Sequence, residues 1–136
     1  MKREEILQLI EKAKLVREKA YARYSNYKVG ACVVTSSGKF FLGCNIENAS
    51  YSGAICAERV AIAKAVSEGE KKFTTIVIVS ESTGHTKTAP CGFCRQFIYE
   101  FAPEAEVITS DMDGNYQIFS IGSLLPHAFG PQNLGK

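Results

Sequence analysis

The run from Phe73 to Ser80, FTTIVIVS, constrains this chain most. Ile76, Val77, Ile78 and Val79 follow one another with no polar residue between them, whereas a strand with one wet face would alternate. The run is short and β-branched, so it reads as a strand covered on both faces and placed in mid-sheet. Such a strand needs helices above and below the sheet, and the flanking segments offer them.

Ile6, Leu9, Ile10, Ala13, Val16 and Ala20 recur at intervals of three and four among Lys, Arg and Glu, which predicts an amphipathic helix from about Arg3 to Ala22. VGACVVTSSGKFFLGCNI then predicts two strands in a hairpin turning at Ser37 and Gly38. CAERVAIAKAVSE, from Cys56 to Glu68, is rich in helix formers and stops before Gly69. Its apolar residues run nearly all round, which predicts a buried helix. Pro90 is expected to open a further helix, CGFCRQFIYEFA, that Pro103 ends.

Short strands at Glu106 to Ser110 and Tyr116 to Phe119 follow, with Asp113 and Gly114 in the turn between them, then a short helix from Ser120 to Leu125. This order predicts an α/β fold, a three-layer α/β/α sandwich on a mixed sheet of about five strands, as one domain over residues 1–136. The Gly-rich tail after Pro126 is expected to be ordered by a partner.

No apolar run approaches the roughly 20 residues of a membrane span. The opening MKREEILQLIEKAK mixes charges through its apolar positions, unlike a secretory signal, so a cytoplasmic location is expected and no membrane partner. The net charge of +2, from 16 basic and 14 acidic residues, offers no footprint for a phosphate backbone, and nucleic acid is not an expected partner. Five cysteines are an odd number. In a reducing compartment they bind metal, catalyse or pack more often than they form disulfides.

Cys91 and Cys94 stand three apart at the start of a predicted helix, so both sulfurs face one side, where a single ion can bridge them. Alone, this C-x-x-C reads equally as a redox pair or half of a structural zinc site. Cys56, in C-A-E, is the natural third ligand. Three protein ligands leave a zinc ion one open position, the requirement for chemistry on water, while a structural zinc takes four. His85 and His127 are the only histidines, and neither has helpful spacing for a fourth. Glu58, two residues beyond Cys56, can meet a bound water instead of the ion.

Three thiolates on a divalent cation leave a net negative charge, which needs compensation. If Cys56 and Cys91 each begin a helix, two partial positive ends point at the sulfurs. Arg59, and after it Arg95, can donate further hydrogen bonds. Arg59 otherwise reads as a solvated surface charge, but its place among Ala, Val and Ile favours burial beside the thiolates. Cys32 and Cys44 read as small buried hydrophobes within strands.

The paired C-A-E and P-C-x-x-C-R-Q motifs, with G-C-N-I-E-N-A-x-Y-S upstream, resemble the small zinc-dependent cytidine deaminases from about Tyr21 to Phe129. The resemblance implies one Zn2+ per chain on Cys56, Cys91 and Cys94, with Glu58 as proton shuttle. It implies ribose recognition by Asn45 and Glu47, where a carboxylate disfavours a phosphate and so favours nucleosides. It implies substrate contacts from Ala57 and from Tyr27, where the family commonly has Phe. It further implies a homotetramer whose sites are shared, with Phe129 of L-L-P-H-A-F reaching a neighbour's site and His127 replacing a small residue. On residue type alone, Glu47 reads as a solvated carboxylate, Asn45 as a turn residue, and Tyr27 and Phe129 as core or interface aromatics.

The reaction implied is hydrolytic deamination of cytidine and deoxycytidine in pyrimidine salvage. Zinc lowers the pKa of its water, Glu58 takes the proton, attack falls on C4 of cytosine, and Glu58 returns protons to the ring nitrogen and the leaving amine. Two rivals are a deaminase of a modified cytosine nucleoside such as blasticidin S, and a non-catalytic zinc-stabilised module. The N-I-E-N-A-S-Y-S block speaks against the first and an intact Glu58 against the second.

Overall fold

The computed structural model describes residues 1–81 and 89–136. In chain order it comprises α1 (Arg3–Arg17), β1 (Val29–Thr35), β2 (Phe40–Cys44), α2 (Ala57–Ser67), β3 (Phe73–Ser80), α3 (Gly92–Phe101), β4 (Glu106–Ser110), β5 (Tyr116–Ser120) and α4 (Ile121–Leu124). Short 3-10 turns occupy Tyr51–Gly53 and Pro131–Leu134. The five strands form one mixed sheet in the order β2-β1-β3-β4-β5, with β3 parallel to β4 and every other pair antiparallel.

Strand β3 is central, as its unbroken apolar run requires. Successive side chains of a strand point to opposite faces, and here Ile76 and Ile78 join a core with α2, α3 and α4, while Val77 and Val79 join a core with α1. Fully burying a Val or Ile side chain contributes about 1.5–3 kcal/mol, so these four residues tie both helical layers to one strand. The expected α/β/α sandwich is the observed one.

Helix α1 buries Ile6, Ile10, Ala13 and Val16 as the periodicity predicts, but it ends at Arg17 and not at Ala22. Lys19 and Ala20 donate to the carbonyls of Val16 and Arg17, three residues back, which tightens the last turn. Tyr21 then leaves the helix because its N–H donates to Asn45 at 3.0 Å and its carbonyl accepts from Glu47 at 2.8 Å. Tertiary pairing overrides helix propensity there. Arg17 itself is buried, donating to the Lys28 carbonyl at 3.1 Å and pairing with Glu81 at 3.0 Å.

Four further expectations are corrected. Helix α2 is not covered all round, since Ala63, Lys64 and Ser67 are exposed. Pro90 does not open α3: it is buried just before Cys91, the N-cap, and the helix starts at Gly92. Cys44 is half-buried, although Cys32 is fully buried and its thiol pushed up to about 12 by desolvation. The tail is tied to its own chain, because Gln96 donates to the Phe129 carbonyl at 2.8 Å and Gln132 donates to the Tyr99 hydroxyl at 3.3 Å.

The hairpin turns at Gly38 with φ of 88°, and the β4–β5 turn at Gly114 with φ of 84°, both left-handed positions that glycine takes without strain. A different constraint acts at Gly43. A Cβ there would lie 2.5 Å from the Ala61 nitrogen and 2.6 Å from the Ala57 carbonyl oxygen, because β2 and α2 touch backbone to backbone. Ala57, Ala61 and Ala65, one turn apart on α2, are all fully buried and small enough to permit it. Gly43→Ala should therefore lower stability by at least about 2 kcal/mol, since overpacking against main chain has no side chain to move aside. Urea unfolding of both proteins measures the difference, and an unchanged midpoint would contradict the close approach.

Candidate active site

Cys56 and Cys91 are the N-cap residues of α2 and α3, and Cys94 is the third residue of α3. Both helices pack on the same face of the sheet, which brings their first turns together. The sulfurs of Cys56, Cys91 and Cys94 all lie within 4.8 Å of one another. Thiolates about 2.3 Å from a tetrahedral zinc ion stand roughly 3.8 Å apart, so the three cysteines fit such an ion in donor type, number and spacing. Among the described residues the cluster holds three ligands. His127 is exposed and outside it, and His85 lies outside the described residues.

Of the two arginines expected to donate to the sulfurs, Arg59 lies beside them. Arg59 hydrogen-bonds to Cys94 and Cys56, and these bonds more than offset burial, holding its guanidinium above its ordinary value. Arg59 also donates to the Ala54 carbonyl at 3.1 Å and lies 4.3 Å over the Phe93 ring. Its Nε is buried without a hydrogen-bond partner. Arg95 takes a different part: it donates to the Pro90 carbonyl at 2.6 Å and the Leu124 carbonyl at 2.8 Å, bracing the loop that carries Cys91.

A hydrogen bond from the Cys94 thiol, opposed by burial and helped by Arg59, brings Cys56 down to about 5. The reciprocal effect of that bond pushes Cys94 up. Glu58, in the first turn of α2, is almost wholly buried, and desolvation raises its carboxyl to about 7, with the Cys56 charge adding to the shift. A carboxyl of this kind can both accept and release a proton near neutral pH.

A cavity of about 300 Å³ opens beside this cluster. Cys56, Cys91, Ala57 and Glu58 line one part of it, and Tyr27, Asn45 and Glu47 line another. Asn45 and Glu47 follow β2, and Tyr27 precedes the antiparallel β1 beside it, so one end of the β1–β2 pair carries all three. Asn45 donates to the Tyr27 carbonyl and accepts from the Val29 N–H, each at 2.8 Å. Glu47 accepts from the N–H groups of Tyr24 and Ser25 at 2.9 and 3.1 Å. Its carboxyl is held below the usual range by hydrogen bonds, the Ser25 hydroxyl first.

Among the residues expected at the site, Cys94, Arg59 and Phe129 do not line this cavity: Cys94 lies in the sulfur cluster behind it, Arg59 hydrogen-bonds to that cluster, and Phe129 is 58% exposed near the start of the tail. Sequence reasoning missed Ser25, Val29, Ile78, Ala89 and Pro90, which also line it. Ser25 had a visible signal, since a hydroxyl residue before Asn marks a turn held by side-chain hydrogen bonds. The apolar ones had none beyond ordinary core composition.

Residues 3–110 match the family model for the cytidine and deoxycytidylate deaminase zinc-binding region. A cytidine deaminase of Sporosarcina psychrophila is 39% identical over 131 residues, covering 96% of this chain and 95% of that protein. A probable cytidine deaminase of Dictyostelium discoideum is 42% identical over 134 residues, covering 98% and 90%. The crystal structure of a cytidine deaminase from Burkholderia pseudomallei superposes with a TM-score of 0.85 at 50% identity, covering 90% of this chain and 97% of that one.

The raised pKa of Glu58 makes the metal-free chain sensitive to pH. A carboxyl whose folded pKa exceeds its unfolded value imposes no penalty below about 4.5 and its full penalty above about 7. Metal-free Glu58→Gln should match the parent in stability at pH 5 and exceed it at pH 8. Urea unfolding at the two pH values reads this, and a difference independent of pH would mean that another group titrates.

Proposed function

This chain belongs to the cytidine and deoxycytidylate deaminase family, and on that premise we propose that it hydrolyses cytidine and deoxycytidine to uridine and deoxyuridine with release of ammonia. The observation that carries the reading is the meeting of three clustered cysteine sulfurs with one buried, near-neutral carboxyl at the edge of a nucleoside-sized cavity. Cys56, Cys91 and Cys94 hold the zinc ion. When bound, zinc supplies Lewis-acid activation of a water molecule.

The chain's own residues do the rest. Glu58 accepts one proton of the attacking water on its carboxylate and passes it to the ring nitrogen, then takes the second proton from the hydroxyl now on C4 and delivers it to the amine leaving that carbon. One water is consumed and one ammonia released, so the carboxyl ends as it began. Arg59 and the two helix N-termini offset the negative sulfurs, which keeps the site electrophilic. Tyr27 packs on the pyrimidine, Ala57 lines its edge, and Asn45 and Glu47 receive the sugar hydroxyls. Main-chain contact between β2 and α2 supports this division, because it fixes the sugar-facing pair relative to the metal-facing pair.

The reading extends to the whole chain as one domain over residues 1–136, working in the cytoplasm in pyrimidine salvage. Among the described residues no helix is long and apolar enough to cross a membrane. The active form is a homotetramer with shared sites. In support, α3 presents Phe93, Phe97 and Phe101 along a groove, with Phe93 66% exposed, and Phe129 is exposed nearby. Phe129 then reaches into a neighbouring subunit's cavity.

Ultraviolet absorbance on adding protein to cytidine, deoxycytidine, cytidine monophosphate and adenosine tests the assignment. Chelator-sensitive loss with the first two alone is expected, and no turnover with one zinc per chain would refute it. Glu58→Gln should keep stoichiometric zinc yet lose about 10³-fold or more in kcat. Light scattering should give four times the monomer mass; a monomer would remove Phe129 from the site.

A further inference from the structure

Residues 22–28, between α1 and β1, lie outside the strands and carry Tyr27 to the cavity. Side chains hold much of this segment's main chain: Asn45 takes the Tyr27 carbonyl and the Val29 N–H, and Glu47 takes the N–H groups of Tyr24 and Ser25. Ser25 completes the set. Its hydroxyl donates to Glu47 Oε2 and accepts from the Tyr27 N–H at 3.0 Å, bridging Asn26, which sits at a φ of 60°.

A carboxylate has about four acceptor directions. Two on Oε1 are taken by main-chain N–H groups and one on Oε2 by the Ser25 hydroxyl. One direction, on Oε2, is left for a ligand. The two N–H groups hold Oε1 alone, and Glu47 is only half-buried, so the Ser25 hydroxyl on Oε2 is the contact that fixes the turn about its terminal bond and with it the direction that stays open. The lowered pKa of Glu47, for which Ser25 is the first cause, agrees with a carboxylate kept ionised as an acceptor.

We infer that Ser25 is a positioning residue for sugar recognition: its hydroxyl aims the free acceptor of Glu47 at a sugar hydroxyl of the bound nucleoside. The inference rests on the nucleoside reading above. Ser25 is remote from proton transfer in this scheme, so its loss acts on binding while the chemical step proceeds. The same hydroxyl links Glu47 to the Tyr27 backbone, and the test separates the two routes by substrate.

Steady-state kinetics of the zinc-loaded parent, Ser25→Ala, Ser25→Thr and Ser25→Val on cytidine provide that test, with 2′,3′-dideoxycytidine as a competitor lacking both ring hydroxyls. Thr and Val share a shape and differ in the hydroxyl, so a fold defect from bulk moves both and a hydroxyl effect separates them. Ala and Val should raise KM for cytidine about tenfold, the scale of one hydrogen bond to a charged group, with kcat within about threefold. Thr should stay within about threefold of the parent in both. The Ki of dideoxycytidine should be equal in all four proteins.

Unchanged KM in Ala and Val, Thr behaving as Val, or a parallel rise in the Ki of dideoxycytidine would each overturn the role, the last by placing the effect on Tyr27 or the loop. A zinc-loaded parent that leaves cytidine untouched removes the nucleoside reading itself, and this role with it. That outcome is distinct from an active parent with indifferent variants.

Discussion

Three sulfurs drawn into a space less than 5 Å across set the terms for the rest of this molecule. As thiolates they repel one another, and water alone cannot stabilise them because Cys94 is fully buried. The fold answers with fixed charge. Cys56 and Cys91 each cap a helix, so main-chain N–H groups of two first turns surround the cluster, and Arg59 joins them from the second residue after Glu58's predecessor, Ala57. Two helices can meet at their N-termini only if they lie side by side on one sheet face, which the β3 core of Ile76 and Ile78 enforces.

The same arrangement gives Glu58 its character. It shares a helical turn with Cys56 and is packed in the layer between α2 and the sheet, where ionisation is costly. A carboxyl on a wet face of α2 would titrate as an ordinary glutamate and would be a poorer proton carrier at neutral pH. Helix α1, on the far side of the sheet, has no side chain in the cavity. By covering Val77 and Val79 it keeps β3 dry on both faces.

Much of this was legible in the sequence because it is local. Cysteines three apart at a helix start, an unbroken apolar strand and glycines in turns each act within a few residues. The end of α1 was not legible, since Tyr21 is taken from the helix by Asn45 and Glu47, far along the chain. Nor was the loop that carries Tyr27, whose main chain is bonded by the side chains of those same two residues. The motif pointed to Asn45 and Glu47 as ligand contacts, and the structure shows them holding the main chain of this loop, which spacing could not reveal. Arg95 was misread for a related reason: beside the local Pro90 carbonyl its partner is the Leu124 carbonyl, which depends on where α4 packs.

Gly43 carries a consequence for selectivity by length. Because β2 and α2 meet through their main chains, the strand that ends just before Asn45 and the helix that begins just after Cys56 move as one piece. The distance between the main chain at the end of β2 and that at the start of α2 is then a ruler made of backbone, and only the side chains at its two ends can adjust the reach. For a ligand held as proposed, between the sugar-facing and metal-facing ends of the cavity, the second anchor stands at a set distance from the first, so a molecule one bond too long or too short would be refused by measure even when its groups match in kind.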